Sequence, residues 1–502
     1  MDRFDNFIDG RFVPPVGGAY LETENPFTGK AWALIPRSSA ADVDEAVAAA
    51  ARAFRSPAWA GISATDRARH LRRLGEAVAD HAAELAEAEV RDNGKTYKEM
   101  LKQLQNTAEW YHFFGGLADK ITGEVLPVDA KDHLTYTRAE PLGVIGMITP
   151  WNSPLRLLAW KLAPALAAGN TAVIKPSEFT STATLRFAAI AHEAGIPAGV
   201  INVVCGLGQE VGQPLADHRD VAKIAFTGGV GSGTAVYVSA ARRLAPVTLE
   251  LGGKSPNIVF ADANLDSAAT GVAAGIFASG GQSCVAGSRL LVQREVHDAM
   301  VERVVAIARG LRMGDPMHPD THVGPVATRP QYERILACIA MALDEGAHLA
   351  HGGKPLDAAG PGLFIEPTVF TNVSNGMRIA QEEVFGPVLC VIPFSDEEDA
   401  LRLANDSAFG LGAGVWTGNI GRAHRMAAGL QAGSVWVNTY RMTSQIVPFG
   451  GYKASGIGRE GGADMIKAYL QTKSVWVNLN DHFASPFGPV QAAGVQAAGR
   501  AQ

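Results

Sequence analysis

The chain has 502 residues, 47% of them hydrophobic and 19% charged, with a formal net charge of −6. That length exceeds what one hydrophobic core serves, so two or three soluble domains with a cleft between them are expected. The acidic balance and the lack of any Lys/Arg-rich run exclude nucleic acid as an expected partner, and Pro, Gly or charge breaks every apolar stretch before it reaches membrane-spanning length.

In chain order, Met1-Asp2-Arg3-Phe4-Asp5 carries early acids and no apolar leader, from which a cytoplasmic location is expected. A short irregular opening leads into helical texture. From residue 66 to 91, Leu71, Leu74, Val78 and Leu85 fall on one helix face, and Asn93-Gly94 stops it. Around residue 123 the texture changes to Gly123-Glu124-Val125-Leu126-Pro127 and then Leu134-Thr135-Tyr136-Thr137, which predicts an accessory hairpin.

Between 143 and 261, short apolar strands at 144–148, 171–174, 200–204, 223–226 and 247–249 alternate with helix-length segments, the pattern of a parallel sheet with crossover helices. In that architecture ligands bind beyond the carboxyl ends of the strands. The residues there are Pro150-Trp151-Asn152, Lys175-Pro176-Ser177-Glu178, Cys205-Gly206, Thr227-Gly228-Gly229 and Glu250-Leu251-Gly252-Gly253.

A second unit begins near 262, with an apolar helix over 265–279 running into Gly280-Gly281-Gln282-Ser283-Cys284. Strands at 290–293, 388–393 and 434–438 follow, then the glycine-rich loop Pro448-Phe449-Gly450-Gly451-Tyr452-Lys453. From residue 484 the tail is rich in Ala, Gly, Pro and Gln, and loose packing is expected there.

Four scattered cysteines, Cys205, Cys284, Cys338 and Cys390, form no C-x-x-C pair, so neither a disulfide scaffold nor a zinc site is expected. The run Gly206-Leu207-Gly208-Gln209-Glu210-Val211-Gly212 has one residue too many for a dinucleotide fingerprint and reads equally well as a tight turn. Phe226 to Gly233, between a strand and a helix, is the better phosphate candidate, because free N–H groups at a helix start attract anions. Glu250 precedes two glycines and faces either a ligand crevice or a structural cation. Cys284 follows a permissive Gly-Gly-Gln-Ser segment that could expose its sulfur; as a nucleophile it would need a partly ionised thiol and a donor for the oxyanion it creates.

Six segments, in order, resemble the aldehyde dehydrogenase superfamily over nearly the whole chain. They are Pro150-Trp151-Asn152-Ser153-Pro154, Lys175-Pro176-Ser177-Glu178, Glu250-Leu251-Gly252-Gly253-Lys254-Ser255-Pro256, Gly281-Gln282-Ser283-Cys284, Glu382-Glu383-Val384-Phe385-Gly386-Pro387 and Pro448 to Gly456. The resemblance implies an α/β fold with three parts. A Rossmann-like, doubly wound parallel sheet forms an NAD-binding domain (1–122 and 142–252), an α/β catalytic domain carries the nucleophile (253–469), and a small β oligomerisation element (123–141 and 470–482) makes a homodimer or homotetramer.

It also implies roles. Cys284 is the nucleophile, its backbone N–H and the Asn152 amide form the oxyanion hole, and Glu250 is the base for hydrolysis of the thioester. Lys175, Ser177 and Glu178 adjoin the adenosine ribose, Gly228 and Gly229 the pyrophosphate, Trp151 the cofactor cleft, and Glu383 with Phe385 the nicotinamide ribose and ring. A Glu178 carboxylate would repel a 2′-phosphate, so NAD is favoured over NADP.

Two departures from the family pattern stand out. Ser153 replaces a bulky aromatic, which suggests a wider or more polar substrate entrance, and Gly229 replaces a serine. Arg156, Trp160, Arg441 and Thr443 fall near the substrate tunnel by the same comparison. The two arginines suit a carboxylate or other polar group on the substrate, or are simply solvated. The expected reaction is oxidation of an aldehyde, such as a semialdehyde, to its acid; a CoA-acylating relative or a silent binding protein are the rivals that Glu250 and Cys284 argue against.

Overall fold

The computed structural model describes residues 1–481 and 486–488, so the expectation of a loose tail from 484 onward falls almost wholly outside the described residues. The five alternating strands form the heart of an eight-stranded sheet. Its order is Gly456–Ile457, Val247–Glu250, Val221–Thr227, Val144–Ile148, Thr171–Lys175, Ile201–Val203, Asn6–Ile8, Arg11–Val13. The central five run parallel. Val144–Ile148 and Thr171–Lys175 are buried at every position, which explains why they read as continuous apolar runs rather than alternating ones.

The winding reverses between Val144–Ile148 and Val221–Thr227, which are adjacent in the sheet but distant in the chain. Their carboxyl ends therefore splay connections to opposite faces and leave a crevice, lined by 149–152 on one side and 227–229 on the other.

A second, seven-stranded sheet holds Arg289–Gln293, Pro256–Val259, Gly412–Trp416 and Ser434–Val437 with Val388–Phe394 and Thr368–Thr371, all parallel, and His348–His351 antiparallel at one edge. The strand Gly456–Ile457 crosses from this half of the chain to pair with Val247–Glu250, tying the two sheets together beside the crevice. A third, small sheet pairs Leu470–Asn478 with His133–Pro141, and the latter with Val125–Leu126.

Two expectations need correcting. The opening residues are not irregular: Asn6–Ile8 and Arg11–Val13 extend the large sheet, while Tyr20–Asn25 and Lys30–Pro36 pair in a sheet of their own. The helix expected over 66–91 is two helices, Ala64–Asp80 and Ala82–Asn93, hinged at His81, so that Leu71, Leu74 and Val78 are buried from the first and Leu85 from the second. Gly94 ends the second helix in a left-handed conformation (φ +72°), and a Cβ there would lie 2.7 Å from the Pro325 ring. Among the described residues no helix is long and apolar enough to cross a membrane, and no group of three His, Cys, Asp or Glu side chains is arranged to hold a metal ion.

Candidate active site

The apolar helix Leu265–Phe277 delivers the chain to the crevice and then breaks. Ser279, Gly280 and Gly281 all take positive φ, and a Cβ on Gly281 would lie 2.0 Å from the Gly386 carbonyl oxygen, so this turn requires glycine. Gln282 anchors the turn by accepting the Ala327 N–H at 2.9 Å. Cys284 follows half-buried in the crevice, whereas Cys205, Cys338 and Cys390 are buried.

Three other segments close on it. Asn152, at the end of the strand Val144–Ile148, donates its side-chain amide to the Gln282 carbonyl at 3.1 Å, which leaves one of its two amide hydrogens for another acceptor. The loop after Val247–Glu250 packs so tightly that a Cβ on Gly253 would lie 2.6 Å from the Cys284 carbonyl oxygen. Tyr440 donates its hydroxyl to the Val285 carbonyl at 3.0 Å. Cys284, Asn152 and Glu250 all line one cavity with Trp151, Gly228, Gly229, Glu383 and Phe385.

Glu250 is 4% exposed, and neither carboxylate oxygen has a hydrogen-bond partner. Burial holds it protonated well above the usual carboxylate range; the nearby Glu460 charge adds to this, and Lys161 and Arg459 oppose it. Lys161 and Glu460 form a fully buried ion pair, and the Lys161 ammonium also donates to Thr227 Oγ1 at 2.6 Å. Burial likewise pushes the Cys284 thiol up to about 12, helped by Glu383 and Glu250 and opposed by Arg441. The partly ionised thiol expected of a nucleophile therefore has to come from a base or a positive charge that opposes this burial.

Beyond Gly228 and Gly229 the crevice opens into a second cavity of about 750 Å³ whose walls include Lys175, Ser177 and Glu178. Pro150, Trp151, Thr227, Gly228 and Gly229 line both cavities, so the two form one elongated cleft. Lys175 is buried and its ammonium lies 3.0 Å from Glu178 Oε2. The helix Val230–Ala241 starts at Gly229 without a side-chain cap, and Gly229, Gly231 and Ser232 line this cavity, so the first turn and its N–H groups with no intrahelical acceptor abut it. Segment 206–212, which carried only a weak signal, lines this cavity as a turn of π-helix (Gly208–Gly212). This length, with anion donors midway and a carboxylate at one end, fits a dinucleotide.

Glu383 stands at the Cys284 end. Its Oε1 accepts the Gly253 N–H at 3.1 Å, and burial pushes its carboxyl up to about 7. Phe385 adopts positive φ (+56°) and meets Trp151 edge to face at 5.2 Å between centroids. This segment is held by residues that carried no motif signal: Gln331 donates to the Val384 and Phe385 carbonyls at 2.8 and 3.0 Å, and Arg334 to the Glu383 carbonyl at 2.9 Å.

On the other side of Cys284, Arg156 donates to the Thr443 hydroxyl and lies over the Trp160 ring, and Arg441 donates to the Ala278 carbonyl at 3.4 Å. Of the two readings of Ser153, a wider or a more polar entrance, its surroundings favour the second: it is 7% exposed, donates to the Asn152 carbonyl at 2.7 Å and accepts from the buried Lys95 ammonium at 3.1 Å. Lys95, Lys161 and Glu460 were missed from sequence; the one local sign was Lys161 as a lone charge among the apolar residues 157–168.

A sequence model of the aldehyde dehydrogenase family matches residues 12–475. The chain is 44% identical over 476 residues to an aldehyde dehydrogenase of Aspergillus niger, covering 95% of each chain. It superposes on the NAD+ complex of an aldehyde dehydrogenase from Bacillus cereus with a TM-score of 0.93 at 43% identity, covering 95% of this chain and 97% of that one. On the NAD+ complex of betaine aldehyde dehydrogenase from Staphylococcus aureus the TM-score is 0.95 at 38% identity, covering 97% of each chain.

Proposed function

The chain belongs to the aldehyde dehydrogenase family, and from that premise we propose that it oxidises an aldehyde to a carboxylic acid with NAD, through covalent intermediates on Cys284. The observation that carries this reading is the convergence of a half-buried thiol, an amide with a free hydrogen and an unpartnered buried carboxyl at one end of a dinucleotide-sized cleft.

Glu250, when ionised, takes the Cys284 proton as the sulfur forms its bond to the carbonyl carbon and the carbonyl electron pair moves to oxygen. The Asn152 amide and the Cys284 N–H stabilise that oxyanion; losing one such donor typically costs about a hundred- to a thousandfold in rate. NAD, when bound, would supply the hydride acceptor for this oxidation and a positive ring that favours thiolate. Once that first proton has passed to solvent, the Glu250 carboxylate removes a proton from water as the new C–O bond forms, and the C–S bond then breaks, which releases the acid and leaves the sulfur as thiolate. Lys175, Ser177 and Glu178 would hold the ribose of adenosine, the Gly228-Gly229 helix start the pyrophosphate, and Glu383 with Phe385 the nicotinamide end, with Trp151 lining the cleft. The solved relatives bind NAD+, and the Glu178 carboxylate disfavours a 2′-phosphate.

Residues 1–122 with 142–252 form the cofactor half and 253–469 the catalytic half, and the element of 123–141 and 470–482, whose sheet spans Val125–Leu126, His133–Pro141 and Leu470–Asn478, joins subunits into a homodimer or homotetramer. Val125, Trp476 and Leu479, all on that element and each at least 60% exposed, support that last assignment as apolar surface a second subunit would cover.

NADH absorbance with mixed aldehydes tests the activity. Cys284→Ala should abolish turnover and keep NAD binding. Glu250→Gln should leave an acyl adduct on Cys284, visible by intact-protein mass spectrometry. Free thiol throughout turnover of that variant would remove Glu250 from the role, and formation of acyl-CoA on adding coenzyme A would favour the CoA-acylating rival.

A further inference from the structure

Two guanidinium groups lie near Cys284, neither within ion-pair distance of a carboxylate among the described residues, although the Glu99 charge reaches Arg156. Arg156 sits in the first turn of Pro154–Ala167, donates to Thr443, and has its Cζ 5.4 Å from the Trp160 ring centroid. A guanidinium has five N–H donors, so these contacts leave most of them uncommitted. Arg441 reaches the Ala274 and Ala278 carbonyls at 3.3 and 3.4 Å and Ser279 Oγ at 3.5 Å, all at the long edge of hydrogen bonding.

Behind them lies the buried Lys95, whose ammonium is 3.1 Å from Ser153 Oγ and 4.0 Å from Glu99 Oε1. The local acids do not balance these cations. Glu99 answers Lys95 and accepts the Ser279 hydroxyl. Glu89 accepts the Leu155 N–H at 2.9 Å, and burial pushes it up to about 7, so it carries less than a full charge at neutral pH. The fields of Arg156 and Arg441 both reach Cys284.

The wall that Arg156 touches belongs to a cavity of about 360 Å³ lined by Trp110, Trp160, Trp436, Thr443 and Phe449. The Trp160 indole N–H is buried with no acceptor. An under-neutralised guanidinium beside an unpartnered donor is costly to keep, unless an anion arrives to complete it.

We propose that the substrate is an aldehyde carrying a carboxylate at its far end, which pairs with Arg156, with Arg441 and Lys95 contributing their charge and the stem lying against Trp160. The inference rests on Cys284 being the nucleophile. It makes Arg156 a specificity-determining residue, because a planar guanidinium matches a carboxylate with two parallel bonds. A quaternary ammonium aldehyde of the same length would meet three cations and no free anion.

The test compares kcat/KM for 5-oxopentanoate, pentanal and 4-trimethylammoniobutanal with NAD in wild type, Arg156→Met and Arg156→Lys. The wild type should prefer the carboxylate over pentanal by about 10- to 100-fold, mostly in KM, and disfavour the ammonium compound. The carboxylate-to-neutral ratio should fall about tenfold or more in Arg156→Met and recover in part in Arg156→Lys. Equal rates for acid and neutral aldehydes in wild type, or an unchanged ratio in Arg156→Met, would overturn the proposal.

Glutarate, titrated by calorimetry into the same full-length proteins, reads the anion site without turnover. Binding that weakens about tenfold in Arg156→Met supports the site even if no aldehyde is oxidised, in which case only the nucleophile reading has failed. Binding that is absent, or indifferent to Arg156, overturns the site. Thermal unfolding of each variant verifies that it is folded.

Discussion

Gly252→Ala isolates what Glu383 does. The Gly252 backbone lies outside the left-handed region, so alanine adopts it without strain. A Cβ there, however, would lie 2.1 Å from Glu383 Oε2 and 2.6 Å from its Cδ, far inside the 3.4 Å at which ordinary contact begins. The obstructing atoms are the end of a flexible side chain, so the carboxyl swings aside and the backbone stays. It then loses the Gly253 N–H at 3.1 Å and leaves the Cys284 end of the cleft.

A hydrogen bond to a charged acceptor contributes roughly 1.5–3 kcal/mol. If Glu383 makes one of that kind to the cofactor, NAD affinity should fall by about 10- to 100-fold, while global stability changes by about 1 kcal/mol. Trp151 lines the cleft, so quenching of intrinsic fluorescence reports NAD binding; KM for NAD and thermal unfolding complete the measurement. NAD affinity equal to wild type in a folded Gly252→Ala would refute a cofactor role for Glu383. Gly253→Ala is the contrast, because its Cβ would meet the Cys284 backbone oxygen at 2.6 Å, which has no free rotation to escape by. There kcat should fall with little change in NAD affinity.

Lys161→Met should destabilise the protein by about 3–5 kcal/mol in urea unfolding, because Glu460 is left buried without its cation; Lys161→Met with Glu460→Leu should recover most of the loss, and a single variant as stable as wild type would contradict the pair. Asn152→Ala should lower kcat by about a hundred- to a thousandfold with an intact fold, and a loss under fivefold would move the oxyanion donor elsewhere. The deacylation rate should climb with pH through a value well above the usual carboxylate range, since Glu250 works only when ionised and burial favours its neutral form; a rate flat from pH 5 to 9 would exclude it as the base. Glu178→Ala should raise the NADP-to-NAD ratio of kcat/KM by about tenfold, through relief of repulsion, and an unchanged ratio would mean that the carboxylate does not face the 2′ position.

The parallel strands of the cofactor half were legible because burial on both faces demands unbroken apolar runs, and because glycines mark the turns where strand ends meet a ligand. Cys284, Asn152 and Glu250 were legible because each sits in a short segment whose glycines and prolines set the local backbone. The N-terminal strands Asn6–Ile8 and Arg11–Val13 were not, since segments of three residues have no periodicity to read and exist only by pairing with Ile201–Val203 far along the chain.

What the amino-acid sequence determined by itself is thus the glycine turn that carries Cys284 and the succession of strands along the chain, both matters of neighbouring residues and backbone preference. The tertiary structure alone decided the charges around them. Lys161 meets Glu460 across 299 positions, Arg156 meets Thr443 across 287, and Lys95 meets Ser153 across 58. The titration of a buried thiol or carboxyl depends on which charges the closed fold brings within a few ångströms and how much water it removes, and neither quantity exists until the chain has packed.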